Sequence, residues 1–247
     1  FGGVTLGGIL GFAENNIWAV GQDDYTSIII HFDGSSWNEI PTSGGHILET
    51  IWGTSQSDIW FSGVNGTLFH YDGVSVMADS VPHAIPKNAD PFYNFLAGAN
   101  SPFGDSYLVL RAPIGFGGGD VFFTFKRTKG QWAAFDTSSG HAIHCLWYSP
   151  AGKLYRGATG VDTLEEGTRW RNVLSSGGIY DIYGISEESI FAVGFSIRDG
   201  WSGEIFHWNG VDWYQFLNFP TRDITFTGVW TDGREVFVVG TDYVKTF

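Results

Sequence analysis

The chain has 247 residues, 43% apolar and 16% charged, which predicts a packed core rather than a disordered segment. Its 26 acidic against 13 basic residues leave a net charge of −13, which disfavours nucleic acid and anionic membrane surfaces, since both are held by clustered Lys and Arg. Cys145 is the lone cysteine, so no disulfide can form within the chain, and no apolar stretch approaches the roughly 20 residues of a membrane helix.

Four short apolar segments open the chain, at residues 8–12, 17–21, 27–32 and 37–40. Asn15-Asn16 separates the first two. Asp33-Gly34 separates the last two and is a hairpin signal, because glycine accepts a positive φ without steric cost. Four such strands joined by hairpins make one antiparallel sheet. A second unit follows at 48–81, with Ile59-Trp60-Phe61-Ser62-Gly63 and His70-Tyr71-Asp72-Gly73 matching Ile17-Trp18-Ala19-Val20-Gly21 and His31-Phe32-Asp33-Gly34. The third unit is looser, with segments at 92–97, 107–111, 121–125 and 132–135. The fourth is expected at 143–148, 153–158, 161–164 and 170–174. The fifth, 179–216, restores the phrase as Ile190-Phe191-Ala192-Val193-Gly194 with His207-Trp208-Asn209-Gly210. The sixth has segments at 226–231, 236–240 and 243–247 and lacks a fourth strand.

A unit of roughly 40 residues copied along a chain signals a repeat architecture. The expected fold is all-β: a six-bladed β-propeller of four-stranded antiparallel blades in a single domain, 1–247. The blades fall at about 6–42, 47–82, 92–137, 142–176, 179–218 and 223–247. Residues 1–5 are expected to supply the strand missing from the last blade and so close the ring.

Trp18, Trp60, Tyr155, Phe191 and Phe237 share one position of the second strand and are expected to fill the space between neighbouring blades. His31, His70 and His207 also stand in register. In a ring such positions lie in different blades, so they read as structural imidazoles bonded to a turn or a neighbouring strand, not as a metal site. Asp33-Gly34, Asp72-Gly73 and Asn209-Gly210 are turn chemistry.

Binding residues are sought where loops are long, because insertions concentrated on one rim mark a working surface. That rim carries the blade-to-blade loop 79–91, with His83, and the second-to-third-strand loops 113–120 and 195–203. Tyr25, Phe116 and Trp201 are the candidate stacking residues, with Arg198 and His83 as polar neighbours. His46, His83 and His141 share the rim too, but no ligand spacing supports a metal there.

No catalytic residue and no cofactor is expected. There is no Gly-x-Ser-x-Gly, no Walker-type loop and no His-Glu-x-x-His. The Asp-Gly-x-x-Trp spacing differs from the sialidase turn Ser-x-Asp-x-Gly-x-Thr-Trp.

Asn15-Asn16-Ile17-Trp18-Ala19-Val20-Gly21 with Ile29-Ile30-His31-Phe32-Asp33-Gly34-Ser35-Ser36-Trp37 resembles the repeats of secreted or surface bacterial β-propeller proteins. The resemblance covers units one, two, five and the start of six, and implies an extracellular or cell-envelope location. It also implies a place within a longer multidomain chain, and a first residue, Phe1, that is not Met is expected of a processed chain or of a piece of something longer. The expected function is a non-catalytic binding or structural module that recognises carbohydrate or protein through the loop-rich rim. The alternative is a glycan-active hydrolase or lyase with ionisable groups converging in the axial funnel.

Overall fold

The computed structural model describes residues 4–24, 26–82, 93–114, 119–139, 141–196, 202–216 and 223–242. Among them all regular structure is β, in twenty strands, and no helix is long and apolar enough to cross a membrane. The strands fall into two compact units, Phe1–Gly140 and His141–Phe247.

The first unit holds three four-stranded antiparallel sheets, each a simple meander. The first consists of β1 (Thr5–Ala13), β2 (Asn16–Asp23), β3 (Thr26–Phe32) and β4 (Trp37–Glu39). The second consists of β5 (Leu48–Ser55), β6 (Asp58–Gly63), β7 (Leu68–Tyr71) and β8 (Val76–Ala78). The third consists of β9 (Asn94–Asn100), β10 (Ser106–Pro113), β11 (Asp120–Thr128) and β12 (Gln131–Ser139). β1 lies against β5, and β5 against β9.

Packing between the sheets explains the repeat. Trp18, Val20 and Ile29 of the first sheet meet Leu48, Ile59, Phe61 and Phe69 of the second. Trp52, Trp60 and Leu68 on the other face of the second sheet meet Phe95, Leu108, Leu110, Phe125 and Trp132 of the third. Each fully buried side chain of this size contributes about 1.5–3 kcal/mol. The hairpins follow the expected chemistry. Gly34 and Gly73 have φ of +95° and +94°. A Cβ on either would also sit 2.7 Å from the Cβ of Asn15 or Ser57 in the adjacent turn, so glycine is required twice over.

One expectation fails at the N-terminus. Thr5, expected in the last blade, pairs with Gln22 inside the first sheet. Residues 1–3 of the expected closing strand lie outside the described residues.

The second unit departs further from four-strand units. β13 (Cys145–Tyr148), β14 (Leu154–Leu164), β15 (Trp170–Ser186), β16 (Ser189–Ser196), β17 (Ser202–Trp208) and β18 (Trp213–Gln215) form one six-stranded antiparallel sheet. β19 (Ile224–Thr231) and β20 (Val236–Asp242) form a two-stranded one. The turn expected between 158 and 161 is absent, because Ala158-Thr159-Gly160 carries no Asp or Asn to close it. Gly160, at φ +112°, instead makes a bulge, and β14 runs on through it. The expected break between units four and five is also absent. At Ser175-Ser176-Gly177-Gly178 the glycines admit close backbone approach, a Cβ at Gly177 falling 1.9 Å from the Phe195 carbonyl, and β15 continues through them. The repeated aromatics Tyr155 and Phe191 are 4% and 7% exposed, in line with Trp18 and Trp60 at 3% and 0%. Phe237 is 55% exposed, against expectation, because β20 has a sheet neighbour on one side only among the described residues.

Candidate functional site

The five binding residues expected from sequence, Tyr25, His83, Phe116, Arg198 and Trp201, all lie outside the described residues. What can be built is the edge of each unit from which those segments leave.

Five strands, β1, β5 and β9 of the first unit and β15 and β19 of the second, carry the same irregularity. In β5 the pairing with β6 slips between Leu48 and Thr50, leaving Glu49 as an extra residue. β1 does this at Gly7, β9 at Leu96, β15 at Tyr180 and β19 at Thr227. A bulge re-aims the side chain it carries and leaves a backbone group without a ladder partner. The five bulged residues are chemically unrelated, whereas the residues before them, Leu6, Leu48, Phe95, Ile179 and Phe226, are uniformly apolar. A constant frame with a variable outward position is how a repeat displays different groups from one scaffold.

In the first unit the variable group is Glu49. It is exposed by area yet crowded by protein, and desolvation pushes its carboxyl up while Arg111 pulls it back. Arg111 Nε donates to Asp120 Oδ2 at 2.8 Å, and this pair braces the two strands leading into 115–118. His46 is held through its backbone N–H, which donates to Thr67 Oγ1 at 3.1 Å.

In the second unit the variable group is Tyr180. Its ring stacks on His144 at 4.4 Å and 26°, and lies 5.6 Å from Phe195 at 40°. The three form a continuous row at the end of β16, where the chain enters 197–201. Gly178 makes the row feasible, since a Cβ there would sit 2.6 Å from the Phe195 ring. Nearby, the Ser176 hydroxyl donates to Glu204 Oε2, Gln215 Nε2 donates to Glu204 Oε1 at 3.2 Å, and Thr159 Oγ1 lies 3.3 Å from His141 Nδ1. The residue after the bulge, Asp181, accepts the backbone N–H of Ile182 at Oδ1 and that of Val229 at Oδ2, both at 2.9 Å. Burial pushes its carboxyl up to about 6.

The histidines in register are structural. Each stacks on the repeated aromatic of the neighbouring strand: His31 on Trp18 at 4.3 Å, His70 on Trp60 at 4.1 Å, His207 on Phe191 at 4.3 Å. Each also bonds a residue of the first turn, Asn16, Asp58 or Ser189. No group of three His, Cys, Asp or Glu among the described residues is placed to hold a metal ion.

Sequence reasoning passed over His144, Tyr180 and Phe195. One signal was there to read: Tyr180-Asp181 puts polar atoms inside an apolar run, Ile179 to Ile182, at the place where other repeats have Gly7-Gly8 or Thr227-Gly228.

No protein-family model matches the chain, and no curated protein does. Solved structures do. YCF48 bound to D1 peptide is 17% identical, with a TM-score of 0.65 over 97% of this chain and 75% of its own. The six-bladed β-propeller lectin of the fungus Aleuria aurantia is 12% identical, with a TM-score of 0.54 over 92% and 90%. TolB from Acinetobacter baumannii is 13% identical, with a TM-score of 0.53 over 95% and 62%. At such identities the likeness is one of fold, and the fold of this all-β chain is that of the β-propeller proteins.

Proposed function

We propose that this chain is a non-catalytic binding module that takes a protein or glycan ligand on the edge of the second unit where the bulged strand β15 emerges. The observation that carries the reading is the row His144–Tyr180–Phe195, three half-buried rings in contact at the end of β16, the strand that precedes Arg198 and Trp201 in the sequence. Aromatic faces offer large contact area at little cost in side-chain entropy, to a sugar ring or to a peptide. Two structural neighbours work as binders, YCF48 with a D1 peptide and the lectin with fucose, which supports the class of function without choosing the ligand. The finer architecture belongs to the same reading: a propeller of six blades. So does an extracellular or envelope location in a bacterium.

The hydrolase or lyase alternative asks for free carboxylates with shifted titration. Asp181 does not serve it, because both of its oxygens already accept backbone N–H groups.

Glycan and peptide arrays probed with the parent protein and with Tyr180→Ala and Trp201→Ala test the proposal. We expect a specific hit weakened at least tenfold by either change. Hits that both variants bind as tightly as the parent would overturn the assignment of this edge.

A further inference from the structure

We propose that the second unit carries a one-electron redox relay: an oxidising equivalent that enters at the exposed ring of Trp230 passes through Tyr183 and Trp147 to Tyr155, where it is held as a neutral tyrosyl radical. The proposal does not depend on what the module binds.

Four oxidisable rings follow one another from solvent into the core. Trp230 of β19 is 49% exposed and stacks on Tyr183 of β15, with 6.5 Å between centroids and 27° between planes. Tyr183 lies 6.5 Å from Trp147 of β13, and Trp147 lies 5.5 Å from Tyr155 of β14, which is buried. All three steps fall within the roughly 4.5–7 Å of aromatic pairs in contact. Tyr183 and Trp230 hold one repeat position, four residues after the apolar residues Ile179 and Phe226 that precede the bulges. In β1 and β9 the same position holds Leu10 and Ala99, which such an oxidant does not ionise. The row therefore belongs to the second unit and is not a general property of the repeat.

Tyr155 is where the charge stops, because its proton has somewhere to go. The phenol donates to Glu187 Oε2 at 2.9 Å. A phenol gives up an electron readily only when its proton leaves too, and the carboxylate is in place to accept it. Lys153 Nζ stands 5.3 Å from the Tyr155 ring centroid, and a cation there disfavours a ring that keeps a positive charge. Burial and the neighbouring carboxylate push the phenol up, so the proton is still present at neutral pH.

The step balances with an outer-sphere oxidant, a radical or a metal complex in a high oxidation state. It takes one electron from Trp230, and the electron is replaced in turn from Tyr183, Trp147 and Tyr155. The Tyr155 O–H bond breaks and its proton bonds to Glu187 Oε2. The products are the reduced oxidant, a neutral tyrosyl radical and an uncharged Glu187.

A photosensitiser fixed beside Trp230 tests the relay in the intact chain. Glu235→Cys places a thiol on the exposed turn between β19 and β20, and Cys145 is buried, so a maleimide-linked ruthenium polypyridyl complex attaches at 235. Laser excitation with a cobalt(III) ammine as electron acceptor generates ruthenium(III), and transient absorption with EPR of frozen samples identifies the radical. We expect a neutral tyrosyl radical in the labelled chain. On that background Tyr155→Phe and Tyr183→Phe, each of which keeps a ring to pack, should cut its yield at least tenfold. Glu187→Gln, which cannot take the proton, should leave a tryptophanyl radical instead. The proposal is overturned by absence of the tyrosyl radical in the labelled chain, by a smaller loss in either phenylalanine variant, or by an undiminished tyrosyl radical in Glu187→Gln.

Discussion

His70 lies flat on Trp60, their ring centroids 4.1 Å apart, and both donate to one oxygen, Asp58 Oδ1, at 2.9 and 3.1 Å. The other oxygen of Asp58 accepts from Asn100, whose own Oδ1 accepts from Trp52. A single carboxylate therefore ties β6 to β7 and to β9. In the first sheet Asn16 takes the same place, accepting from both Trp18 and His31. In the second unit Ser189 reaches only His207, and phenylalanine, with no N–H to satisfy, replaces tryptophan.

Replacing Asp58 by alanine should cost about 2–3 kcal/mol, because two indole N–H groups lose their place in one network and a charged acceptor disappears. Ser189→Ala, which removes one long contact, should cost under about 1 kcal/mol. Urea denaturation of the purified chain measures both. Equal losses would mean that the Asp58 network carries no more than a single hydrogen bond.

Glycines can be ranked the same way. Gly34 and Gly44 both have positive φ, +95° and +105°, but a Cβ at Gly34 meets Asn15 while one at Gly44 meets nothing within 4 Å. Both alanine variants should be destabilised by backbone strain, of order 1–2 kcal/mol. Gly34→Ala should lose about 1 kcal/mol more, through overpacking against Asn15. Thermal melts of the two variants side by side check the difference.

That contrast also marks what was legible in the residues. Asp33-Gly34 and Asn209-Gly210 announce themselves because a turn is local chemistry: the side-chain oxygen caps two following N–H groups and glycine supplies the φ. The aromatic and histidine positions were legible because copies could be compared. The bulge at Glu49 was not, since Leu48-Glu49-Thr50 alternates just as an ordinary strand does. Nor was the continuity of β14, where a glycine that looks like a turn is a bulge. Tyr180 went unnoticed because its meaning depends on His144 and Phe195, which lie far away in sequence. The loop residues Tyr25, His83, Phe116, Arg198 and Trp201 were inferred from loop length, a property that says where a surface is built and not how it is arranged.

Phe191 and Phe237 occupy one repeat position in opposite circumstances, 7% and 55% exposed. Phe191 packs with Val193, Ile205 and Val229. Phe191→Ala should cost about 3–5 kcal/mol, and Phe237→Ala less than about 1 kcal/mol. Chemical denaturation gives both values. A loss at Phe237 as large as that at Phe191 would indicate that Phe237 is packed as Phe191 is.

The response to pH separates two families of carboxylates. Asp58 is held below its ordinary value chiefly by the hydrogen bond from His70, Asp33 by the Ser35 hydroxyl, and Asp72 and Asp232 by backbone N–H groups of their turns. Their folded values are depressed, so their contributions are complete above about pH 4 and are lost as acid protonates them. Asp181, pushed up by burial to about 6, has the opposite sign, as does Glu49. Ionising Asp181 costs the folded state more than the unfolded one, so stability rises as pH falls from above 6 towards 4. His207 works against this, because burial lowers its value and folding resists its protonation below about pH 6.5. Asp181 is buried far more completely than the His207 ring, so the carboxylate sets the sign over this interval. The urea midpoint should therefore climb between pH 7.5 and pH 5 and then fall steeply below pH 4. In Asp181→Asn the climb should vanish and leave a shallow decline from His207 over the same interval. A parent protein whose midpoint falls steadily from pH 7.5 downward would show that the Asp181 carboxylate is better solvated than its place between β15 and β19 implies.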